Sequence, residues 1–467
     1  MDPLTFSTSA SEAPDTLGTA ANLRTLLALA WPIVLARATQ SVIGFTDALM
    51  VAPLGKEALA ATTTGGFNAF MFIILPMGTV FIVQSFTAQL RGRGDLVAAR
   101  RYAYYGLLLA LGAGLFSALA IPFVAPALHL FGYEPLVEEL MTKNVSVRLL
   151  SVAGAVGTEA IGNYYGGLGR TRPAMVAGLV AMLTNVLLNW LLIEPHLGLP
   201  GYGVVGSGTA SVIATWLGFS VIALLFLRDR APSAGRLRLA EFRRVLRFGL
   251  PNGVNWFLEF SAFTLFINVV VGHLGTTELA AFNVVFQINS ISFMPAFGLA
   301  SAGAILVGET IGRKALDQVG RIVRLTGLVA ACWMVPVGAS YFIAPELLVG
   351  LFRPRDTPAA ELIAVGTSML TISALWQIFD AACITLSESL RAAGDTTWCM
   401  GARIVLAWLV FVPSGWVVVN VFDGGPVSVM LCVAGYVAAL SITFALRFLS
   451  GRWRSIDLVG VGEPRPL

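Results

Sequence analysis

The chain has 467 residues, of which 57% are hydrophobic and 12% are charged, and its mean hydropathy is +0.80. Soluble domains carry about 25% charged residues, so this composition excludes a soluble enzyme or a disordered protein and predicts a polytopic membrane protein. The 30 basic and 26 acidic residues leave a formal net charge of +4, too small a balance to indicate nucleic-acid binding.

The chain begins with a polar segment, residues 1–23, which we predict to be a disordered cytoplasmic tail. It lacks the basic start and the apolar centre of a signal peptide. A helix that crosses the bilayer core of roughly 30 Å needs about 20 apolar residues. Such runs occur at twelve places, near 25–51, 60–88, 102–126, 136–166, 173–194, 204–227, 246–271, 278–306, 321–345, 360–390, 397–420 and 426–449.

Basic residues stay on the cytoplasmic side of membrane proteins, and their distribution orients these spans. With both termini inside, 24 of the 30 basic residues, including Arg391 and Arg403, lie in segments assigned to the cytoplasm, and Arg37 and Arg148 lie within spans. The outer segments hold only Lys56, Lys143, Arg353 and Arg355. The sequence therefore predicts twelve helices with cytoplasmic termini.

The two halves of the chain resemble each other at an offset of about 220 residues. LGKEALAA at 54–61 aligns with LGTTELAA at 274–281, and QLRGRG at 89–94 aligns with ETIGRK at 309–314. A third match, GRTRPAM at 169–175 with GDTTWCM at 394–400, argues against chance similarity between Gly- and Ala-rich helices. Because each half has six helices, both halves enter the membrane in the same sense, as in a duplicated transporter.

The predicted fold class is an all-α polytopic membrane protein with two parallel six-helix bundles around a central cavity. The predicted divisions are an N-lobe over 24–228 (helices 1–6), a cytoplasmic linker over 229–245, a C-lobe over 246–450 (helices 7–12) and a cytoplasmic tail over 451–467.

Four acidic residues lie deep within the predicted spans: Asp47, Glu159, Glu259 and Asp380. Ionisable groups in hydrocarbon are costly and commonly mark an ion path. Burial disfavours the charged carboxyl and a bound cation favours it, so such a group can exchange a proton or Na⁺. The alternative for Asp47, Glu259 and Asp380 is a structural role. For Glu159, a structural ion pair with Arg37 is as well supported as a functional role.

Uncharged polar side chains accompany these acids. Gln40 precedes Asp47 by two helical turns, and three pairs share a helix face, namely Asn185 with Asn189, Asn283 with Gln287, and Gln377 with Asp380. Amides at such spacing bond neighbouring helices, or they complete an oxygen-ligand set for Na⁺ or line a substrate cavity. Aromatic residues around the acids, such as Trp256 and Trp376, would suit flat, apolar cations. No GxxxxGK[ST] loop is present to bind ATP, and no HExxH motif is present.

The sequence resembles the MATE (multidrug and toxic compound extrusion) transporters, in particular the NorM branch, from about residue 22 to 450. The resemblance is carried by five segments: TDALMVAPLG at 46–55, LGRTRPAMVAGLVAMLTNVLLNWLLIE at 168–194, FLEFSAF at 257–263, AAFNVVFQINSISFMP at 280–295 and ALWQIFDAACITLSESLRAAGDT at 374–396. By resemblance, Asp47 is the N-lobe acid, supported by Asn185, Asn189 and Thr209, and Glu259 with Asp380 forms a C-lobe cation site that could take Na⁺. Two residues depart from the family pattern: Trp376 replaces a frequent Tyr and Glu159 an uncharged amide.

The resemblance implies secondary active efflux of organic, often cationic, drug-like compounds by alternating access, coupled to antiport of H⁺ or Na⁺. The alternative is an exporter of a lipid-linked precursor or another metabolite in the same superfamily. We expect no enzyme activity, no cofactor beyond the coupling ion, small-molecule substrates, contact with membrane lipid, no nucleic-acid partner and a monomer. The expected location is the plasma (inner) membrane of a bacterium.

Overall fold

The computed structural model describes residues 22–198, 200–229, 234–352 and 360–460, and this part of the chain is helical without β-strands. Most of the predicted N-terminal tail (1–21), part of the linker (230–233) and the end of the C-terminal tail (461–467) lie outside the described residues. The first helix begins at Leu23 because the Asn22 side chain caps it, accepting a hydrogen bond from the Thr25 amide at 2.9 Å.

Eleven helices in the described residues are long and apolar enough to span a membrane, and one bent pair makes a twelfth. They are α1 (Leu23–Leu54), α2 (Glu57–Gly92), α3 (Leu96–His129), α4 (Pro135–Leu149 with Val152–Gly167), α5 (Arg172–Ile193), α6 (Gly203–Arg228), α7 (Leu239–His273), α8 (Thr276–Gly312), α9 (Leu316–Ile343), α10 (Ala360–Ala393), α11 (Thr396–Asn420) and α12 (Pro426–Leu449). These helices match the twelve predicted spans, so the predicted fold class is confirmed.

Several helices depart from regular α geometry, three of them inside the span. The two parts of α4 meet at 43°. A 3₁₀ turn, Ala374–Trp376, interrupts α10 directly before Gln377, and α11 contains a π-helical stretch, Val405–Phe411. Irregular turns of these kinds recur at functional sites because they redirect side chains and release backbone groups.

The helices form two lobes, α1–α6 and α7–α12, which meet where α2 crosses α8. The contact is reciprocal: a Cβ at Gly92 would overlap the carbonyl oxygen of Glu309, and a Cβ at Gly312 would overlap that of Gln89. Gly92 and Gly312 occupy equivalent positions of the sequence repeat, as do Gln89 and Glu309. The internal symmetry of the sequence therefore coincides with a close backbone contact between the lobes, and only glycine allows that contact.

Further contacts join the lobes at the same end of the molecule. Asn252 in α7 donates to the carbonyl oxygen of Gly78 in α2 at 2.7 Å, and Gln89 in α2 donates to that of Ala392 in α10 at 2.8 Å. We call this region, where α2 meets α7, α8 and α10, the closed end of the lobe interface.

The segment after α12 returns to the N-lobe at the closed end. Arg93, at the end of α2, donates from Nη1 to the carbonyl oxygen of Gly460 at 2.9 Å, and Arg244, near the start of α7, donates to that of Val459. Leu458 is fully buried and packs in an N-lobe cluster that includes Phe86. Residues 456–460, which we call the C-terminal strap, thus connect the two lobes although they fall in the predicted tail.

Candidate functional site

Asp47 lies in a buried polar cluster between α1, α4, α5 and α6 of the N-lobe. Its carboxylate accepts hydrogen bonds from Asn185 Nδ2 at 3.1 Å and Asn189 Nδ2 at 2.6 Å, as their shared helix face predicts. Two further donors are Ser211 Oγ at 2.9 Å and Arg148 Nη2 at 2.6 Å. The four donors satisfy the carboxylate, and Arg148 supplies a counter-charge.

Sequence reasoning missed Arg148 and Ser211 as partners of Asp47. The signal for Arg148 was present, because it is one of the two arginines assigned to a span and a buried arginine needs a counter-charge. From α6 the structure brings Ser211 to the carboxylate, whereas the Thr209 hydroxyl donates to the Val205 carbonyl oxygen of its own helix at 2.8 Å.

A cavity of about 380 Å³ lies beside this cluster and is lined by a further N-lobe ion pair, Arg37 with Glu159. Arg37 Nη1 and Nη2 bind Glu159 Oε1 and Oε2 at 2.8 and 3.0 Å, and Asn163 donates to the Glu159 carbonyl oxygen at 2.8 Å. The guanidinium lies 5.5 Å from the ring centroids of Phe81 and, across the lobe interface, Phe297. Gln40 lines this cavity and not the Asp47 cluster.

The C-lobe contains a larger cavity of about 490 Å³ between α7, α8, α10, α11 and α12. Glu259 and Asp380 both line it, as predicted from their mid-span positions. Arg403 lines it as well and donates to Glu259 Oε2. The sequence analysis assigned Arg403 to the cytoplasm. The structure instead places it about two turns into α11, with a side chain 13% exposed.

Asp380 differs from the other three mid-span acids. Within the described part of the chain, its carboxylate has no hydrogen bond or ion pair to another side chain, and it faces the cavity. Glu259 and Arg403 are close enough for both their charges to act on it. The cavity therefore combines two paired carboxylates, Glu259 and Glu388, with one carboxylate that is available to a proton or to a cationic ligand.

The amides that line this cavity are only partly those expected from the sequence. Gln377, next to Asp380, donates to Asn289 Oδ1 at 2.8 Å and is buried. On α8 it is Asn289 that lines the cavity, whereas Asn283 and Gln287 are exposed on other faces of the helix. Asn289 follows Phe282 by two helical turns and Phe286 by almost one, so the aromatic face of α8 was the signal that could have identified it.

Aromatic side chains supply most of the remaining cavity wall, and they include Trp376, which is 9% exposed. The others are Trp256, Phe260, Phe263, Phe286, Phe293 and Phe297. Large apolar walls with few polar groups are typical of small-molecule sites. No group of three His, Cys, Asp or Glu residues that could hold a metal occurs in the described residues.

Comparison with known proteins identifies the architecture to which these cavities belong. The chain matches the family model MatE over residues 32–191 and 253–417. The chain belongs to the MatE family. The resemblance found in the sequence is thereby confirmed, and because MatE proteins are transporters, the chain is a transporter and not an enzyme.

Similar MatE proteins cover nearly the whole chain. A Probable multidrug resistance protein NorM from Pseudomonas putida is 32% identical, and the alignment covers 94% of this chain and 96% of that protein. Multidrug resistance protein PmpM from Pseudomonas aeruginosa is 30% identical, with 85% and 84% covered.

Solved structures share the fold. One described as the outward-facing conformation of a multidrug resistance MATE family transporter has a TM-score of 0.84 at 20% identity, covering 93% of this chain and 97% of that chain. A MOP superfamily transporter from Pyrococcus furiosus also has a TM-score of 0.84, at 21% identity and the same coverage. At these identities the likeness establishes the two-lobe fold of a multi-pass membrane protein.

Proposed function

We propose that this MatE protein exports organic, often cationic, small molecules in exchange for inward movement of H⁺ or Na⁺. The observation that carries the proposal is the C-lobe cavity, in which the unpaired Asp380 carboxylate faces aromatic walls. A flat cation is attracted by the carboxylate and stacks on the aromatic rings. The multidrug resistance names of the relatives support this substrate class.

Competition for Asp380 provides the coupling. When a coupling cation neutralises the carboxylate, a cationic substrate loses its counter-charge and is released. Exchange results only if substrate and coupling cation bind differently to two conformations of the transporter. Alternating access would be a rocking of the N-lobe (24–228) against the C-lobe (246–450), with Asp47 and Glu259 as further carboxylates whose arginine partners could change between states.

The distribution of basic residues supports an orientation of the transporter in the membrane. Arg91, Arg93 and Arg313 lie at the closed end, and basic residues stay on the cytoplasmic side. The conformation would then be closed to the cytoplasm, with both termini inside, in the inner membrane of a bacterium. A monomer suffices for this function, since each cavity is built within one chain, and no cofactor or nucleic acid takes part.

A lipid-linked precursor exporter is the alternative, and it requires a basic cavity for phosphate groups. Arg37 and Arg403 lie in the two cavities, but each is paired with a glutamate. The pairing cancels the positive charge that such a substrate would need, so the structure favours the export of cations.

The proposal is tested with the purified chain in proteoliposomes, using a fluorescent flat cation such as ethidium and imposing proton and Na⁺ gradients separately. We expect efflux driven by at least one gradient. Asp380→Asn removes the charge but keeps the shape, so it should abolish gradient-driven efflux while leaving thermal unfolding near the wild-type temperature. Gradient-driven efflux at the normal rate in a folded Asp380→Asn variant would exclude the coupling role, and no efflux by the wild type of any cation tried would exclude the export function.

A further inference from the structure

Arg403 gives the C-lobe cavity a built-in cation beside Glu259. Its guanidinium donates to Glu259 Oε2 and, through Nη2, to Ser387 Oγ at 3.1 Å. It also lies 5.4 Å from the ring centroid of Phe444. Three helices, α7, α10 and α12, therefore hold the guanidinium in place from three sides.

Other titratable groups besides Glu259 also face Arg403. Asp380 and Cys383 face it from α10, and Tyr436 faces it from α12. Glu388, farther along α10, is paired with Arg391. Two carboxylates, Glu259 and Asp380, and one permanent guanidinium thus determine the charge in the centre of the cavity, because arginine remains protonated in proteins.

We propose that Arg403 determines the ion selectivity of this cavity, because its guanidinium occupies the position beside Glu259 that a Na⁺ ion would need and thereby excludes Na⁺. A hard cation needs several oxygen ligands at once. Here Glu259 Oε2 and the Ser387 hydroxyl already bind Arg403, and its positive charge repels a second cation at the Glu259 carboxylate. The inference rests on the proposed export function and leaves the proton, which needs one oxygen only, as the coupling ion.

The test is binding of ²²Na⁺ to the purified full-length protein, which requires no transport substrate. We expect no saturable binding to the wild type. Arg403→Gln should gain saturable binding, with an affinity at least about tenfold above the upper limit measured for the wild type, equivalent to about 1.4 kcal/mol. The added change Glu259→Gln should remove that binding. Arg403→Lys keeps the positive charge and should continue to exclude Na⁺.

Arg447→Gln is the matched control, because Arg447 also forms an ion pair within the C-lobe, with Asp395, but does not line the cavity. It should gain no Na⁺ binding. Saturable binding to the wild type that Glu259→Gln abolishes would overturn the proposal, and this measurement holds even if Arg403→Gln does not fold. A folded Arg403→Gln variant without Na⁺ binding would overturn it as well. Neither result depends on whether the protein exports drugs.

Discussion

Arg391 in the C-lobe donates from Nη1 to the carbonyl oxygen of Phe81 in the N-lobe at 3.1 Å. The same guanidinium donates to Gln84 Oε1 at 2.8 Å and lies 4.4 Å from the Phe81 ring centroid. The Arg391 side chain is 4% exposed. The sequence analysis assigned Arg391 to a cytoplasmic segment, but in the structure it is buried and bonds across the lobe interface. We call its contacts with Phe81 and Gln84 the Arg391 latch. These bonds must break if the closed end opens.

Loss of the Arg391 latch should therefore favour opening of the closed end. Hydrogen bonds to charged groups contribute about 1.5–3 kcal/mol each, so Arg391→Ala should increase the population open at this end by about tenfold or more. Distances between spin labels on α2 and α8 near Gly92 and Gly312 measure that population. Arg447→Ala, which removes a C-lobe arginine away from the interface, should leave the distances unchanged. Unaltered distances in Arg391→Ala would mean that other contacts hold the lobes together.

The reciprocal contact of Gly92 and Gly312 predicts that an added methyl group at either position destabilises the closed conformation by steric overlap. Gly312→Ala places a Cβ against the backbone of Gln89, where no flexible side chain can move away. Overpacking of this kind costs about 1–3 kcal/mol, so the closed conformation should be depleted. The control is Gly320→Ala, since a Cβ at Gly320 meets nothing within 4 Å. Spin-label distances that change equally in both variants would contradict the explanation.

The Arg37–Glu159 pair predicts strong coupling in a double-mutant cycle. Removal of one partner from a buried ion pair costs about 3–5 kcal/mol because the other charge remains unpaired. Arg37→Met and Glu159→Gln should each lower the thermal unfolding temperature, and the double variant should be closer to the wild type than either single variant. Additive losses in the double variant would mean that the two charges act independently.

The C-terminal strap should stabilise the closed end because it connects the lobes. Burial of a leucine contributes about 2 kcal/mol. Deletion from Ile456 onward should thus increase the population open at the closed end, as judged by the same spin-label distances. Deletion from residue 461 onward retains Leu458 and the contacts of Arg93, and it serves as the control. Identical distances for the two truncated proteins would exclude a role of the strap.

The sequence by itself determined the architecture. Backbone polar groups in a membrane must be satisfied within each helix, so long, predominantly apolar runs predicted the twelve spans. The cost of burying charge identified the four mid-span acids, and the pairing of Arg37 with Glu159 could be anticipated since both lie in spans of one lobe. Asn185 and Asn189 approach Asp47 together because a spacing of four residues fixes a common helix face.

Only the tertiary structure decided which charges meet across distant helices. Hydropathy does not give the depth of a residue near the end of a span, so Arg403 was counted as cytoplasmic although it reaches Glu259 from α11. Helix rotation, which packing against neighbouring helices sets, brings Ser211 instead of Thr209 to Asp47 and turns Asn289 instead of Asn283 into the cavity. Asp380 is consequently left as the unpaired mid-span acid of the described chain, and that difference arises from side-chain geometry that no sequence pattern encodes.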